Sequence, residues 1–388
     1  VSVLIFIINL LHRRIYFVTW NVATKYPEQD LHQLLGISNS TFPDFYVIGL
    51  QEVKAQPQNM VMGMFTDDPW TKAFREILKD HAYVKVRTQR LQGLILNVFC
   101  KTQHLTHLRF IEAQLTRTGF GGMWGNKGAV SVRLNIYGVS ICFVNSHLTP
   151  HDHLLAERVA DYNTILKEHT FTTPDTAKEM IKIQYIFYLR FQRPHFSGNL
   201  TTLERRPSWT DRILYKVNSE VYEGIKLKAD QTFYKSHPSY VQSDHKPVTG
   251  EFDIKVRNIS NVTFQPVAEW FIDEENCVSY KLSGSLGPES GDWIGLFKHG
   301  FSSLDDYEVY EYVGRGKSIT YWEIFVSGRA APPTESDSLT DRIYFSDSAL
   351  QSPGMYQLVY VRQSGGTVGI LGVSSPFPGY RRLRSNIT

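Results

Sequence analysis

Near residue 257 the chain changes its grammar, and that change limits the folds open to it. Ahead of it, strand-like runs alternate with helical ones; behind it, strand-like runs succeed one another with only turn residues between them. Arg14–Val22 (RIYFVTWNV) has the aromatic and β-branched content of a strand, with Asn21 close to its end. Leu31–Leu35 reads as one helical turn or more, and Asp44–Glu52 (DFYVIGLQE) as a second strand ending in Gln51-Glu52. Asp68–Asp80 reads as an amphipathic helix, and Gly93–Lys101, Ala129–Ile136 and Val139–Asn145 as further strands. Asp152–Lys167 places Leu154, Leu155, Val159, Tyr162, Ile165 and Leu166 near helical spacing. That rhythm predicts layered α/β structure. Past Glu251 come Cys277–Leu282, Trp293–Phe297, Tyr307–Tyr312, Ile319–Phe325, Arg342–Phe345, Tyr356–Val361 and Val368–Val373. Short strands parted by Gly, Ser, Pro and Asp predict an antiparallel β-sandwich of about seven strands, with the boundary near Arg257–Asn261.

The 388 residues suffice for one large and one smaller domain. Hydrophobic content of 42% and charged content of 20% are those of a soluble globular chain. A net charge of +3 is too small to attract a polyanion by itself, so phosphate recognition has to be local. Three scattered cysteines (Cys100, Cys142, Cys277) argue against a disulfide framework or zinc site and fit a reducing compartment. Val1–Leu11 is strongly apolar but short of the roughly 20 residues a membrane-spanning helix needs. It also lacks the basic start and cleavage site of a signal peptide. A chain that opens on Val1 is expected to be a fragment, with this stretch a buried strand or leftover upstream sequence.

Strand ends are where layered α/β folds place their sites, and polar residues collect there. Asn21 and Glu52 end the first two strands and offer oxygen atoms, the ligand type magnesium prefers. Gly119–Gly128 (GFGGMWGNKG) is a glycine-rich loop with Asn126 and Lys127 near its exit, suited to close approach of a phosphate or to a plain hairpin. His147 follows directly from an apolar strand in Asn145-Ser146-His147-Leu148. His151 and His153 invite a zinc reading, but the surrounding set of Asn, Asp and Glu without cysteine favours magnesium. In Arg205–Lys216 (RRPSWTDRILYK), Asp211 and Arg212 stand at the mouth of an apolar run, as Asp244 and His245 do in Ser243–Val248 (SDHKPV). An Asp able to hold a His, beside a second Asp, makes an acid–base pair with a metal ligand.

As an ordered series these stretches resemble the inositol polyphosphate 5-phosphatases: TWNV at 19–22, GLQEV at 49–53, GNKG at 125–128, NSHL at 145–148, ERVADY at 157–162, RRPSWTDRIL at 205–214 and SDHKPV at 243–248. The tail, with DWIGLFK at 292–298 and VGILGVSSPF at 368–377, resembles a SKICH domain, an Ig-like β-sandwich found in the skeletal-muscle-and-kidney-enriched and proline-rich branches. The resemblance implies a catalytic domain at 12–256, shortened around 163–204, and a SKICH-like domain at 262–378. It implies an α/β (α+β) two-sheet sandwich of DNase I/exonuclease III type, followed by a small all-β Ig-like sandwich. It further implies Mg²⁺-dependent removal of the 5-phosphate from PI(4,5)P2, PI(3,4,5)P3 or soluble inositol phosphates. Carried over motif by motif, Asn21 and Glu52 would surround the metal, and His147 would contact the scissile phosphate. Asp211 would orient His245, Asp244 would sit on the metal–water side, and Asn126, Lys127 and Arg212 would face phosphate. The implied partners are an inositide substrate and, through the SKICH-like domain, proteins. The implied place is cytoplasmic, peripheral at the plasma membrane, its ruffles or the endoplasmic reticulum. Abasic-site endonucleases share the scaffold, but PSWTDRIL and the tail argue against a nucleic-acid partner.

Two parts of the family pattern are missing. A W-x-G-D-x-N-[FY]-R stretch belongs between ERVADY and PSWTDR, yet Thr176–Thr210 contains no aspartate; Tyr185–Phe191 (YIFYLRF) reads as the strand that would lead into it. The Y-D-T-S-x-K run that reads a neighbouring 4-phosphate is also replaced, with Gly198 and Leu203 where its Tyr and Lys belong and Glu204 next door. Either an exon is missing from this chain or the protein is a decayed enzyme that only binds. Decay would erode the remaining motifs piecemeal, and they are intact, which favours the missing exon. On both accounts the chain as written is expected to have little or no phosphatase activity.

Overall fold

The computed structural model describes residues 10–37, 42–54, 67–119, 122–150, 152–171, 185–189, 211–218, 228–257, 262–282, 287–313, 340–364 and 366–381. They divide into two compact units, one of residues 1–101 and 111–257 and one of 102–110 and 258–388.

The first unit is built on two sheets. One contains β1 (Leu10–Asn21), β2 (Phe45–Gln51), β3 (Tyr83–Leu91) and β4 (Leu94–Lys101). The other contains β5 (Leu108–Gly119), β6 (Trp124–Ile136), β7 (Val139–His147), β8 (Tyr185–Leu189) and β9 (Ile213–Val217). β10 (Ala229–Ser236) and β11 (Val248–Arg257) complete the first sheet, in the order β10-β11-β1-β2-β4-β3, while the second runs β5-β6-β7-β8-β9. Each sheet has one parallel pair at its centre, β1–β2 and β7–β8. Antiparallel neighbours flank both pairs: β11 and β4 in the first sheet, β6 and β9 in the second. The sheets lie face to face through aromatic rings. Phe17 of β1 stacks on Phe187 of β8 at 4.7 Å and meets Phe143 of β7 edge-on at 5.8 Å. These contacts explain why β2 and β4 read as continuous apolar runs: one face meets the other sheet and the other face is also covered.

Helix α1 (Pro69–Lys79) does the covering on the first sheet, burying Trp70, Phe74 and Leu78 against Trp20, Tyr46 and Ile48. Asp68 caps it by accepting from the N–H groups of Trp70 and Thr71, and Pro69 occupies the first turn, so the helix starts where its sequence stops being extended. The expected turn at Leu31–Leu35 is present, closed by Leu35 N–H on the Leu31 carbonyl at 3.0 Å.

Helix α2 (Leu155–Glu168) follows a single 3-10 turn at Asp152–Leu154. Its inward face differs from the apolar spacing of the sequence. Arg158, Asp161 and Ile165 are buried, whereas Leu155, Val159 and Leu166 are 39%, 46% and 38% exposed. The reason is polar: Asp161 accepts from Thr149 N–H (2.8 Å) and Oγ1 (2.7 Å), and Arg158 donates to the Thr149 carbonyl (2.9 Å). The helix is turned to hold the segment that leaves His147.

The second unit is all β. β12 (Val262–Phe264), β14 (Asn276–Leu282) and β17 (Thr340–Phe345) form one antiparallel sheet, and the expected strand at Ile319–Phe325 lies outside the described residues. β13 (Trp270–Phe271), β15 (Trp293–Lys298), β16 (Tyr307–Tyr312), β18 (Gly354–Ser364), β19 (Thr367–Val373) and β20 (Phe377–Tyr380) pair around β18 and β15. Trp270, Tyr280, Ile294, Phe345, Tyr356 and Tyr360 fill the core between them. Asp292 is fully buried there, accepting from Tyr360 Oη (2.7 Å) and from Arg362 Nε (3.0 Å) and Nη2 (2.9 Å). Thr102–Phe110 counts with this unit, in which Arg109 donates to the Ile370 carbonyl.

Candidate active site

The polar residues of the first unit gather where its parallel strands end. β1 and β2 run in register so that Asn21 pairs with Gln51, leaving Glu52 one residue beyond. Side chains alternate along a strand, so an extended Glu52 would follow Leu50 onto the face that α1 covers. Its φ of 55° lies instead in the left-handed region, sparsely populated for a residue with a Cβ, and turns the carboxylate toward the strand end. There Asn21 Nδ2 donates to Glu52 Oε1 at 2.8 Å, while Asn21 Oδ1 accepts from Ala23 N–H at 3.0 Å.

The second sheet contributes the other half. His147 ends β7 opposite Gly128 of β6, with Lys127 beside it. Gly128 has a φ of 144°, and a Cβ there would lie 2.0 Å from the Thr116 carbonyl oxygen, so only glycine lets β6 close against β5 at this point. Lys127 Nζ lies 3.3 Å from His147 Nε2, and Glu52 Oε1 lies 3.6 Å from the same nitrogen. Lysine has only protons to donate, so Nε2 can accept from Lys127 in the tautomer with its proton on Nδ1, whereas the Nε2–H tautomer faces the Glu52 carboxylate. A cation, a carboxylate and an imidazole from both sheets thus meet at one atom that is nearly buried; His147 is 6% exposed.

Asp211 and His245 form the second group. Asp211 stands just ahead of β9, and its Oδ2 lies 2.5 Å from His245 Nδ1, leaving Nε2 as the outward nitrogen. The Ser243–His245 loop is clipped to β1 at two points and closed on itself by a third bond. Ser243 Oγ donates to the Asn21 carbonyl (2.7 Å) and accepts from His245 N–H (3.1 Å), and Trp20 Nε1 donates to the His245 carbonyl (3.0 Å). Ser243 is the link between the two groups, and the sequence reading passed over it although it stands inside SDHKPV.

The remaining expected residues flank these groups. Asp244 is exposed in the same loop, and Arg212 is half-buried beside Asp211. Asn126 is exposed, its amide packed over Gly119 across the β5–β6 hairpin; a Cβ on Gly119 would lie 2.3 Å from Asn126 Oδ1. It is not brought to His147 by any hydrogen bond among the described residues. Residues 190–210, where the Gly-Asp-x-Asn stretch was expected, and His151 lie outside the described set.

The donor set fits a hard divalent cation. Glu52 and Asn21 present carboxylate and amide oxygens, and Glu52 is open to approach with its side chain 44% exposed. One carboxylate and one amide leave most coordination positions to water and to a substrate phosphate.

Known proteins resemble both units of the chain. The model of endonuclease/exonuclease/phosphatase family 2 matches residues 18–190 and 194–251, and that of the SKICH domain matches 262–379. The break falls between ERVADY and PSWTDR, the interval that lacks Gly-Asp-x-Asn. Inositol polyphosphate 5-phosphatase K of Mus musculus is 30% identical over 416 residues, covering 88% of this chain and 88% of that protein. Phosphatidylinositol 4,5-bisphosphate 5-phosphatase A of Homo sapiens is 29% identical over 435 residues, covering 94% of this chain and 41% of that one. The solved inositol polyphosphate 5-phosphatase domain of SPsynaptojanin, in complex with inositol (1,4)-bisphosphate and a calcium ion, shares the fold. It matches with a TM-score of 0.51 at 20% identity, over 64% of this chain and 86% of that chain. The family consists of metal-dependent phosphoric monoester hydrolases. The chain belongs to the inositol polyphosphate 5-phosphatases, a branch of endonuclease/exonuclease/phosphatase family 2, and carries a SKICH domain after the phosphatase unit.

Proposed function

We propose that the first unit is an Mg²⁺-dependent site for the 5-phosphate of PI(4,5)P2 or PI(3,4,5)P3, retaining the groups for cation and 5-phosphate but lacking those that read the 4-phosphate and position the attacking water. The observation that carries this reading is the meeting of Lys127 and Glu52 at His147 Nε2, 3.3 and 3.6 Å away, at the mouth of both sheets. Glu52 and Asn21 would hold the cation, which offsets charge on the transferring phosphoryl group. Lys127, Arg212 and Asn126 would face phosphate oxygens, and His147 the scissile group. Asp211 fixes the His245 tautomer so that Nε2 points outward, and Asp244 would stand on the water side. A lipid-borne substrate is favoured by Met123 and Trp124, 74% and 62% exposed on the hairpin that leads to Lys127. They would bring the chain to cytoplasmic membrane surfaces, at the plasma membrane, its ruffles or the endoplasmic reticulum, while the SKICH domain takes protein partners.

No Asp occurs in 176–210, so hydrolysis lacks the groups that the family uses beside the water. The test pairs binding with turnover on the purified chain. Soluble inositol 1,4,5-trisphosphate should bind saturably and only with Mg²⁺ present. Phosphate release from PI(4,5)P2 vesicles should run about 10²–10⁴-fold below that of a relative with the full loop. Release at the relative's rate would overturn the proposed gap. Vesicle or protein binding that ignores both Mg²⁺ and headgroup would favour the second reading, an adaptor without catalysis.

A further inference from the structure

Between the two sheets, directly beneath the site, a polar cluster interrupts an interior that is mostly aromatic and aliphatic among the described residues. Thr19, Gln51 and Asn145 are all fully buried there. Gln51 Nε2 donates to Asn145 Oδ1 at 2.7 Å and lies within 3.2 Å of Thr19 Oγ1. Asn145 Nδ2 in turn donates to the carbonyls of Leu50 (2.9 Å) and Ile95 (2.8 Å), residues paired with each other across β2 and β4. One amide from the second sheet therefore bridges two strands of the first. The approach is prepared at Gly49, where a Cβ would lie 2.8 Å from Leu189 Cδ1 and 3.0 Å from Asn145 Cγ.

Stability alone does not account for this choice of residues. A buried amide left without a partner is destabilising, whereas apolar side chains of the same size would join the surrounding rings with no such exposure to loss. The placement suggests another role. Gln51 immediately precedes Glu52, Asn145 stands two residues before His147, and Thr19 two before Asn21. The Glu52–His147 approach joins opposite sheets, and the Gln51–Asn145 bond is the directional contact just below it.

We propose that Gln51 and Asn145 are positioning residues: their cross-sheet hydrogen bond sets the distance between the strand end carrying Glu52 and the one carrying His147, and so shapes the cation and phosphate site. The inference rests on the functional reading of Glu52 and His147, but its geometric half is testable without any bound cation. Gln51→Met keeps the bulk and removes the donor, leaving Asn145 Oδ1 without that partner. Gln51→Met combined with Asn145→Leu removes the bond from both sides; the Leu50 and Ile95 carbonyls then lose the Asn145 donor too, and thermal melting reads that stability cost apart from the positioning.

The experiment is a crystal structure and an Mn²⁺ titration of the full chain for wild type, Gln51→Met and the double variant, with thermal melting alongside. A changed Glu52 Oε1–His147 Nε2 separation in both variants supports the inference, and a separation unchanged in the double variant overturns it. Where Mn²⁺ binds the wild type, its affinity should fall about 10–100-fold in both variants, whatever the melting temperature of the double variant. An affinity that recovers together with melting temperature in the double variant assigns these residues a merely structural role and overturns the proposal. Glu52→Gln serves as the control. If it leaves Mn²⁺ binding unchanged, the functional reading of Glu52 fails, while the separation measured in the crystals still decides the positioning claim.

Discussion

His169 offers a perturbation whose sign and size follow from its surroundings. It lies just past α2, 1% exposed, with its own N–H on the Ile165 carbonyl at 3.0 Å. Both ring nitrogens face hydroxyls, Nδ1 at 2.9 Å from Thr116 Oγ1 and Nε2 against Ser131 Oγ. Hydroxyls satisfy a neutral imidazole but do not neutralise an imidazolium, and burial pushes the pKa from the ordinary 6.5 down to about 4. Between those values the unfolded chain carries a proton on this residue that the folded chain refuses. Stability is therefore unaffected above about pH 6.5 and falls as the pH drops toward 4. A depression of that size amounts to about 2 kcal/mol lost between pH 7 and pH 5. His169→Gln keeps a polar group for one hydroxyl and cannot titrate. Whatever its stability at pH 7, it should lose about 2 kcal/mol less than wild type on going to pH 5. The assay is hydrogen exchange in graded urea at both pH values, read on peptides from β6 and β7. Equal pH dependence in the two proteins would refute the assignment of a neutral, buried His169.

Two further substitutions report on separate units. Asp68→Ala removes the cap that receives the Trp70 and Thr71 N–H groups and should cost about 1–2 kcal/mol, read as faster exchange of α1 amides with the second unit unaffected. Asp292→Ala removes the carboxylate that half-buried Arg362 grips through Nε and Nη2, leaving it Glu289 at 2.8 Å, and should cost about 1–3 kcal/mol. A melting curve in which only the transition of the second unit moves would agree, and a variant as stable as wild type would show that Asp292 is dispensable.

The strand ends bearing Asn21, Glu52 and His147 were legible because each closes an apolar run, a signal carried by neighbours in sequence. Strands β3, β5 and β10 were not, for an identifiable reason. Their residues include charged side chains, such as buried Lys85, exposed Arg87 and half-buried Arg90 in β3, which interrupt the apolar run that marks a strand in sequence. The helix α2 was legible from its apolar spacing but its inward face was not, because Arg158 and Asp161 are drawn inward by Thr149, a partner on a preceding loop. Contacts between distant positions left no local trace at all. Gln51 and Asn145 are 94 residues apart and Arg109 and Ile370 are 261 apart, and nothing near either residue announces its partner.

The distribution of the candidate site over separate strand ends lets the described strands pair without a Gly-Asp-x-Asn stretch. β8 is retained in register beside β7, with Leu189 opposite Asn145 and its carbonyl accepting from Ser146 Oγ at 3.4 Å. The segment after Leu189 therefore starts one strand away from His147, the place from which an Asp and an Asn could reach the attacking water. Neither β8 nor β9 depends on those residues for its pairing, since Leu189–Ile213 and Tyr188–Leu214 are joined directly. It follows that restoring the loop should restore turnover without rebuilding the fold. Inserting a relative's Gly-Asp-x-Asn loop and its Tyr/Lys run between Leu189 and Arg205 should raise Mg²⁺-dependent phosphate release from PI(4,5)P2 by about 10²–10⁴-fold. The transcript across the codons for Asn163–Glu204 tells whether the natural message already holds such an insert. A folded graft that binds the headgroup yet releases no more phosphate would mean that the remaining site has itself lost its catalytic geometry, and the decayed-enzyme account would then prevail over the missing exon.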